Sequence, residues 1–355
     1  MKKLHNGRCR IVLTGGPGGS ITDVAEYWSD PHRDIVLYDQ RGTGAAEPSL
    51  DCPERNEAWV RNLQRDEPFD AERAHIVDGY DACRKRLEAA GVDLDDYDTE
   101  ANVRDLDAIR SALGYDEWNI LGISYGSRLA LAAMRSTPDP IRSVILDSVD
   151  DVTAGGLAAM KASGDRAFSE LARACREDVA CAEDHTDLAA EIDQVERRFD
   201  AAPVRIEVDL GDGAGPRTFV LTGADMIGGL FKAMYDASLL PLLPTIIGNL
   251  AAGDTSILSE LVRQNVAFQD ELAWGMHLAV NCADGAGLDP TAEADAIARP
   301  GRFRLLVTEP LCSEFPVEPT SDTFDEPVHS DIPALVVAGR FDPITPPGNS
   351  RAVAD

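Results

Sequence analysis

An apolar run, Trp118-Asn-Ile-Leu-Gly-Ile, ends on Ser124-Tyr-Gly126, and a helix-forming stretch from Tyr125 to about Arg135 follows at once. A buried strand that turns into a helix within one residue leaves little choice of architecture. The run must lie in a sheet covered on both faces, with the helix packed back across one of them. Gly122 and Gly126 flank the serine in the pattern G-x-S-x-G. Glycine at both positions permits a turn too sharp for side chains and lifts Ser124 above the sheet at a helix N-terminus. There the helix dipole favours a developing negative charge. The spacing predicts Ser124 as a nucleophile and the Tyr125 amide as one donor to an oxyanion. A chance glycine-rich turn would carry the same letters, but it would not need the strand before and the helix after.

The rest of the first 150 residues repeats the alternation. Arg10-Ile-Val-Leu-Thr, Asp34-Ile-Val-Leu-Tyr and Ser143-Val-Ile-Leu-Asp read as further buried strands. Thr99 to Leu113 reads as a helix, with Val103, Leu106, Ile109, Ala112 and Leu113 at helical spacing. The expectation is an α/β chain with a mostly parallel sheet and helices on both faces. From about residue 152 the pattern becomes alanine-rich and helical. One hairpin interrupts it, Val204 to Leu210 and Thr218 to Leu221 around the turn Gly211 to Gly215. Strand character returns at Ala334-Leu-Val-Val-Ala-Gly. This predicts residues 1–151 as the N-terminal part of the core, 152–328 as a mainly helical cap, and 329–355 as an incomplete C-terminal part of the core. Glu54 to Ala90 is a second, shorter helical excursion. A cap inserted between parallel strands belongs over their carboxyl ends, where open α/β sheets bind ligands.

Two more segments carry chemistry. Thr14-Gly-Gly-Pro-Gly-Gly-Ser20 follows the first strand, lacks the lysine of a phosphate-binding loop and does not match G-x-G-x-x-G. It is read as the loop supplying a second oxyanion amide, from Gly15 or Gly16. Asp342, just past the strand that begins at Ala334, is the expected acid that would orient a histidine; Asp147, at the end of an earlier strand, is the rival. All six histidines, His5, His32, His75, His185, His277 and His329, precede Asp342. His329 is read as a solvated loop residue and His277 as a cap residue. Without a base Ser124 is a weak nucleophile.

The net charge is −29, with 62 acidic against 33 basic residues, which argues against nucleic acid or anionic membrane as a partner. No apolar run reaches the roughly 18 residues of a membrane span, and the most apolar stretch, Leu239 to Leu250, is broken by Pro241 and Pro244. No cofactor or metal is expected. The seven cysteines are read as disulfides between sequence neighbours, Cys52–Cys83, Cys175–Cys181 and Cys282–Cys312, with Cys9 left over. The alternative is a zinc site at Cys175, Cys181 and His185, with looser spacing than such sites use. Three bridges imply an oxidising compartment, whereas the start Met-Lys-Lys-Leu-His lacks the apolar segment of an export signal.

As an ensemble, Gly15-Gly-Pro-Gly-Gly-Ser20, Asp39-Gln-Arg-Gly-Thr-Gly44, Gly122-Ile-Ser-Tyr-Gly-Ser127 and Ala338-Gly-Arg-Phe-Asp-Pro-Ile-Thr-Pro346 resemble the tripeptidyl-aminopeptidase branch of the proline-iminopeptidase family. Asp98-Thr-Glu100, Leu146-Asp-Ser-Val149 and Asn281-Cys-Ala-Asp284 fit the same branch. The resemblance implies the α/β-hydrolase fold and an exported serine exopeptidase, with a helical cap and disulfides. Such an enzyme acts on peptide substrates from their free N-termini. It also implies a cap carboxylate for the substrate ammonium, for which Asp284 is the candidate. Thr14 departs from the pattern, standing where many relatives carry histidine. The chain also starts just before the third strand of that fold and stops after the seventh. The expectation is therefore a form shortened at both ends, with its catalytic histidine outside it, and nearly inactive. An esterase on the same scaffold and a non-catalytic binding remnant are the alternatives.

Overall fold

The computed structural model describes residues 9–151, 156–285, 289–307, 309–321, 324 and 326–355. The first half runs β1 (Cys9–Leu13), β2 (Asp34–Val36), α1 (Pro53–Asn62), α2 (Phe69–Ala89), α3 (Thr99–Leu113), β3 (Trp118–Ile123), α4 (Tyr125–Ser136) and β4 (Ile141–Asp147). Then come α5 (Gly156–Glu177), α6 (Val179–Asp184), α7 (Leu188–Ala201) and an antiparallel hairpin of β5 (Val204–Val208) and β6 (Arg217–Leu221). Next follow α8 (Gly223–Ala233), α9 (Leu243–Ala252), α10 (Leu258–Asp270), α11 (Trp274–Asp284) and α12 (Pro290–Ala298). The chain returns to the sheet at β7 (Ala334–Val337) and closes with α13 (Pro347–Ala354).

The main sheet has the order β2-β1-β3-β4-β7, and every pairing in it is parallel. β3 is central, with Ile120 opposite Ile11 on one side and Val144 on the other. These three side chains are buried, together with Trp118 and Leu146, in a core shared with Leu129 and Ala133 of α4. A strand buried on both faces needs such continuous apolar runs, which is why β1, β3 and β4 were readable in the sequence. Helix α3 is bounded by local chemistry. The Asp98 carboxylate accepts from the Ala101 amide at 2.5 Å, and Gly114 ends the helix at φ 73°, the left-handed conformation that glycine takes without strain. At the sheet edge, Leu335 and Val337 of β7 stay solvent-exposed.

A second apolar core lies among the helices between β4 and β7. It gathers Phe168, Phe231, Trp274 and Phe315, and it also takes in Trp59 of α1 and Tyr80 of α2. The early helical excursion thus buries its apolar face against the later helices. Disulfides stitch this layer. Cys52–Cys83 joins the N-terminus of α1 to α2, Cys175–Cys181 links α5 to α6, and Cys282–Cys312 fastens α11 to the segment after it. Cys9 is free and buried. His185, the third ligand of the alternative zinc reading, instead pairs with Glu191 at 2.8 Å. Among the described residues no cluster of three or more His, Cys, Asp or Glu could hold a metal, and no helix is long and apolar enough to cross a membrane.

Candidate active site

The turn from β3 into α4 is as sharp as the sequence requires. Ser124 has φ 54° and ψ −124°, a backbone conformation that costs a non-glycine residue about 1–3 kcal/mol. The neighbours enforce it. The Ser124 amide donates to the Asp147 carbonyl at 2.9 Å, which extends the β3–β4 ladder by one step. The Ser127 amide and hydroxyl both donate to the Ser124 carbonyl, at 2.7 and 2.5 Å. A Cβ on Gly122 would stand 2.3 Å from the Gly126 carbonyl oxygen, and one on Gly126 only 2.1 Å from that of Leu13. The Tyr125 ring is fully buried beneath the turn, its hydroxyl 2.9 Å from Thr99 Oγ1. Its amide belongs to the first turn of α4, where no intrahelical acceptor exists.

The glycine loop after β1 lies directly against this turn. A Cβ on Gly15 would be 2.8 Å from Ser124 Cβ and 3.1 Å from its Oγ. Gly16 and Gly18 have φ of 120° and 105°. The loop is held from two sides. Beneath it, Asp39 accepts from Ser20 Oγ at 3.0 Å and from the amides of Ile21, Thr22 and Ala45 at 2.9, 3.1 and 2.9 Å. The Thr22 hydroxyl donates at 2.5 Å to Asp39 Oδ2, the oxygen that also accepts from the Ala45 amide. Burial alone would raise the Asp39 pKa, but these donors more than offset it and hold the carboxyl at about 2. Above it, the Ala273 amide donates to the Gly18 carbonyl at 2.9 Å, and Gly19 forms an antiparallel bridge with Leu272. The loop that abuts the serine is thereby tied to the start of α11.

Asp342 occupies the turn after β7. Its Oδ1 accepts from the amides of Ile344 and Thr345 at 2.9 and 2.8 Å, and its Oδ2 from the Thr345 hydroxyl at 2.7 Å. Ile344, two residues on, lines the same cavity as Ser124, and Asp342 does not. Asp147 accepts from its neighbour, the Ser148 hydroxyl, at 3.1 Å. His329 is exposed on a loop. His277 lines the same cavity as Ser124. Its Nδ1 donates to the Pro17 carbonyl at 3.1 Å, so Nε2 is the acceptor, facing the Asn281 amide at 3.3 Å. Burial holds its pKa below the usual imidazole range. Among the described residues no imidazole hydrogen-bonds either Ser124 or Asp342.

The cavity measures about 470 Å³ and has Gly15, Gly16 and Ser124 at its base. One wall is apolar, built from Met226 and Phe231 of α8 and Leu261 and Phe268 of α10. The other is polar and was not legible in the sequence. Arg55, only 2% exposed, donates to Gln269 Oε1 at 2.5 Å and to Glu309 Oε1 at 2.6 Å. Its guanidinium lies 3.8 Å from the centre of the Trp274 ring. Glu309 Oε2 is buried without a hydrogen-bond partner. Asp284, the residue expected to hold a substrate ammonium, is not on this wall. It is buried below, accepting from Thr99 N and Oγ1 at 3.2 and 2.7 Å, from Arg128 Nη1 at 3.1 Å and from Thr320 Oγ1 at 3.1 Å.

Residues 11–176 match the family described as alpha/beta hydrolase fold, and residues 301–355 match the one described as TAP-like protein; together these span more than half of the chain. The chain has the α/β-hydrolase fold, and the relatives it matches include proteins named as peptidases. Serine protease Hip1 of Mycobacterium tuberculosis is 26% identical over 374 residues, an alignment covering 95% of this chain and 70% of that protein. Tripeptidyl aminopeptidase of Streptomyces lividans is 32% identical over 151 residues, or 39% of this chain and 28% of the relative. Proline iminopeptidase of Xylella fastidiosa is 28% identical over 145 residues, 41% of this chain and 33% of the relative.

Proposed function

We propose that this α/β-hydrolase is a serine aminopeptidase that forms an acyl-enzyme on Ser124. The observation that carries the reading is the contact of the Gly15 backbone with Ser124, opposite the free amides at the start of α4. A carbonyl attacked by the Ser124 oxygen would place its developing oxyanion between the Tyr125 amide and the Gly15 or Gly16 amide. Collapse of that intermediate breaks the C–N bond, the leaving amine takes up a proton, and water then hydrolyses the ester. Asp342 is the carboxylate that would orient the base, fixed in place by the Ile344 and Thr345 donors.

The walls support a reading with a free N-terminus. A cavity of about 470 Å³ has room for a short acyl segment. Glu309, the carboxylate that lines the polar wall beside Arg55, is the candidate acceptor for the segment's terminal ammonium, in place of Asp284. The three disulfides suit an oxidising compartment, which supports a site of action outside the cytosol.

Two measurements test this. Intact-mass analysis after prolonged incubation with a fluorophosphonate should show one adduct, absent in Ser124→Ala and formed slowly, because no imidazole among the described residues bonds the serine. Peptide arylamides with free N-termini should then be cleaved at least about tenfold faster than their acetylated counterparts, the value of one lost charge-assisted contact. Equal cleavage of both series would overturn the aminopeptidase assignment, and cleavage of acyl esters alone would make the protein an esterase.

A further inference from the structure

Of the two cations that line the cavity, Arg55 is engaged by Glu309 and Gln269, and Lys232 is not engaged by any carboxylate. Lys232 lies in the last turn of α8, whose other face buries Ile227 and Leu230. Its ammonium is 3.0 Å from the centre of the Phe268 ring and 4.3 Å from that of Tyr235. Among the described residues no carboxylate comes within the 4.0 Å of an ion pair. Glu271, also on the cavity wall, acts on Lys232 only at longer range. The chain carries 62 acidic residues against 33 basic ones, so a partner could readily have been supplied. Ring faces attract a cation without neutralising it. Burial lowers the Lys232 pKa to about 8, which leaves it mainly protonated at neutral pH. The outcome is a positioned positive charge, bracketed by two rings, opening onto space above the nucleophile.

We propose that Lys232 is a specificity-determining residue that receives a carboxylate of the peptide substrate at the α8–α10 side of the cleft. This rests on reading the cleft as a peptidase site. A carboxylate can reach that position from two sources, an acidic side chain of the bound peptide or the C-terminal carboxylate of a short one. Either gives the ammonium a counter-charge at contact distance, which no carboxylate among the described residues supplies, against the Phe268 ring face.

The test is calorimetric binding to the full chain carrying Ser124→Ala, which prevents turnover. The ligands are tetra-alanine with a free C-terminus, its C-terminal amide, the amide carrying one glutamate, and hexanoate. Carboxylate-bearing peptides should bind about tenfold more tightly than the neutral amide. Lys232→Met should abolish that difference while leaving the neutral amide within about twofold, and Lys232→Arg should retain it. Preference for the free C-terminus alone identifies the terminal carboxylate as the source; preference for the glutamyl amide identifies the side chain. Peptide binding without charge preference, or equal weakening of all peptides by Lys232→Met, overturns the Lys232 assignment and leaves the peptidase reading intact. Binding of hexanoate but of no peptide, lost in Lys232→Met, supports the carboxylate site and overturns the peptidase reading. Binding of none of the four overturns the proposal.

Discussion

Replacing Gly126 by alanine separates two reasons for which a glycine can be required. Gly126 lies inside α4 without a positive φ, so backbone preference alone would favour alanine by about 0.5–1 kcal/mol. Space forbids it. The added carbon would stand 2.1 Å from Leu13 O, 2.6 Å from Leu13 C and 2.9 Å from Thr14 O. Carbon and carbonyl oxygen meet comfortably at roughly 3.3 Å, so α4 and β1 must part by about 1 Å. Overpacking against backbone costs about 3 kcal/mol, which for a chain of this size lowers the melting temperature by roughly 4 °C. Gly91 is the complementary case, with φ 84° and nothing within 4 Å of an added Cβ; alanine there pays only for backbone strain, about 1 kcal/mol. Gly348 has neither constraint, and its alanine variant should melt at or slightly above the parent. Scanning calorimetry of the three variants gives the order Gly126→Ala lowest, Gly91→Ala next, Gly348→Ala last. Should Gly126→Ala melt no lower than Gly91→Ala, the elbow is not held by close packing. A displaced turn should also slow fluorophosphonate labelling of Ser124 about a hundredfold.

Asp39 titrates at about 2 in the fold against an ordinary value of 3.8, so its stabilisation is complete above about pH 4 and fades as pH falls towards 2. Partial exposure discounts this to about 1–2 kcal/mol. Urea midpoints should place Asp39→Asn below the parent by that amount at pH 7, with the gap narrowing by pH 3; a constant gap would show that the charge is not what holds the loop. Tyr125→Phe loses the hydroxyl contact with Thr99 and should cost about 1–2 kcal/mol. Labelling of Ser124 should nevertheless change less than about twofold, because the oxyanion donor is the amide. Opening Cys52–Cys83, which spans 31 residues, should cost about 3–4 kcal/mol, and opening Cys175–Cys181, which spans 6, about 2 kcal/mol. Paired cysteine-to-alanine variants with the opposite order in calorimetry would contradict the loop-entropy argument.

What could be read in the sequence was local. Asp98 and Gly114 mark the ends of α3 within the segment itself, and the apolar run of β3 with its two glycines specifies the turn at Ser124. The cavity wall is different. Arg55 meets Gln269 and Glu309 across 214 and 254 residues, and no spacing rule connects them. The same holds for Asp284, whose partners Thr99, Arg128 and Thr320 come from three other segments. Its acceptor capacity could not be judged from Asn281-Cys-Ala-Asp284 alone. The packing of α1 and α2 into the second core is likewise a tertiary event, because an amphipathic helix does not name the surface it covers. His277 and Lys232 did leave traces. The first follows Trp274 on one helix face, and the second precedes Tyr235 by three positions, a spacing that brings side chains together.

The bond from Ala273 to Gly18 and the Gly19–Leu272 bridge bear on how such proteins can be recombined. The roof over the cleft is not an interchangeable module. A Cβ at Gly18 would come 2.7 Å from the Ala273 oxygen, so the two segments are fitted to each other at backbone level. A chimaera that imports helices from a relative while keeping this glycine loop would inherit a mismatched seam beside its nucleophile. One that transplants Leu272, Ala273 and the Gly15–Ser20 loop as a single block should keep the seam intact.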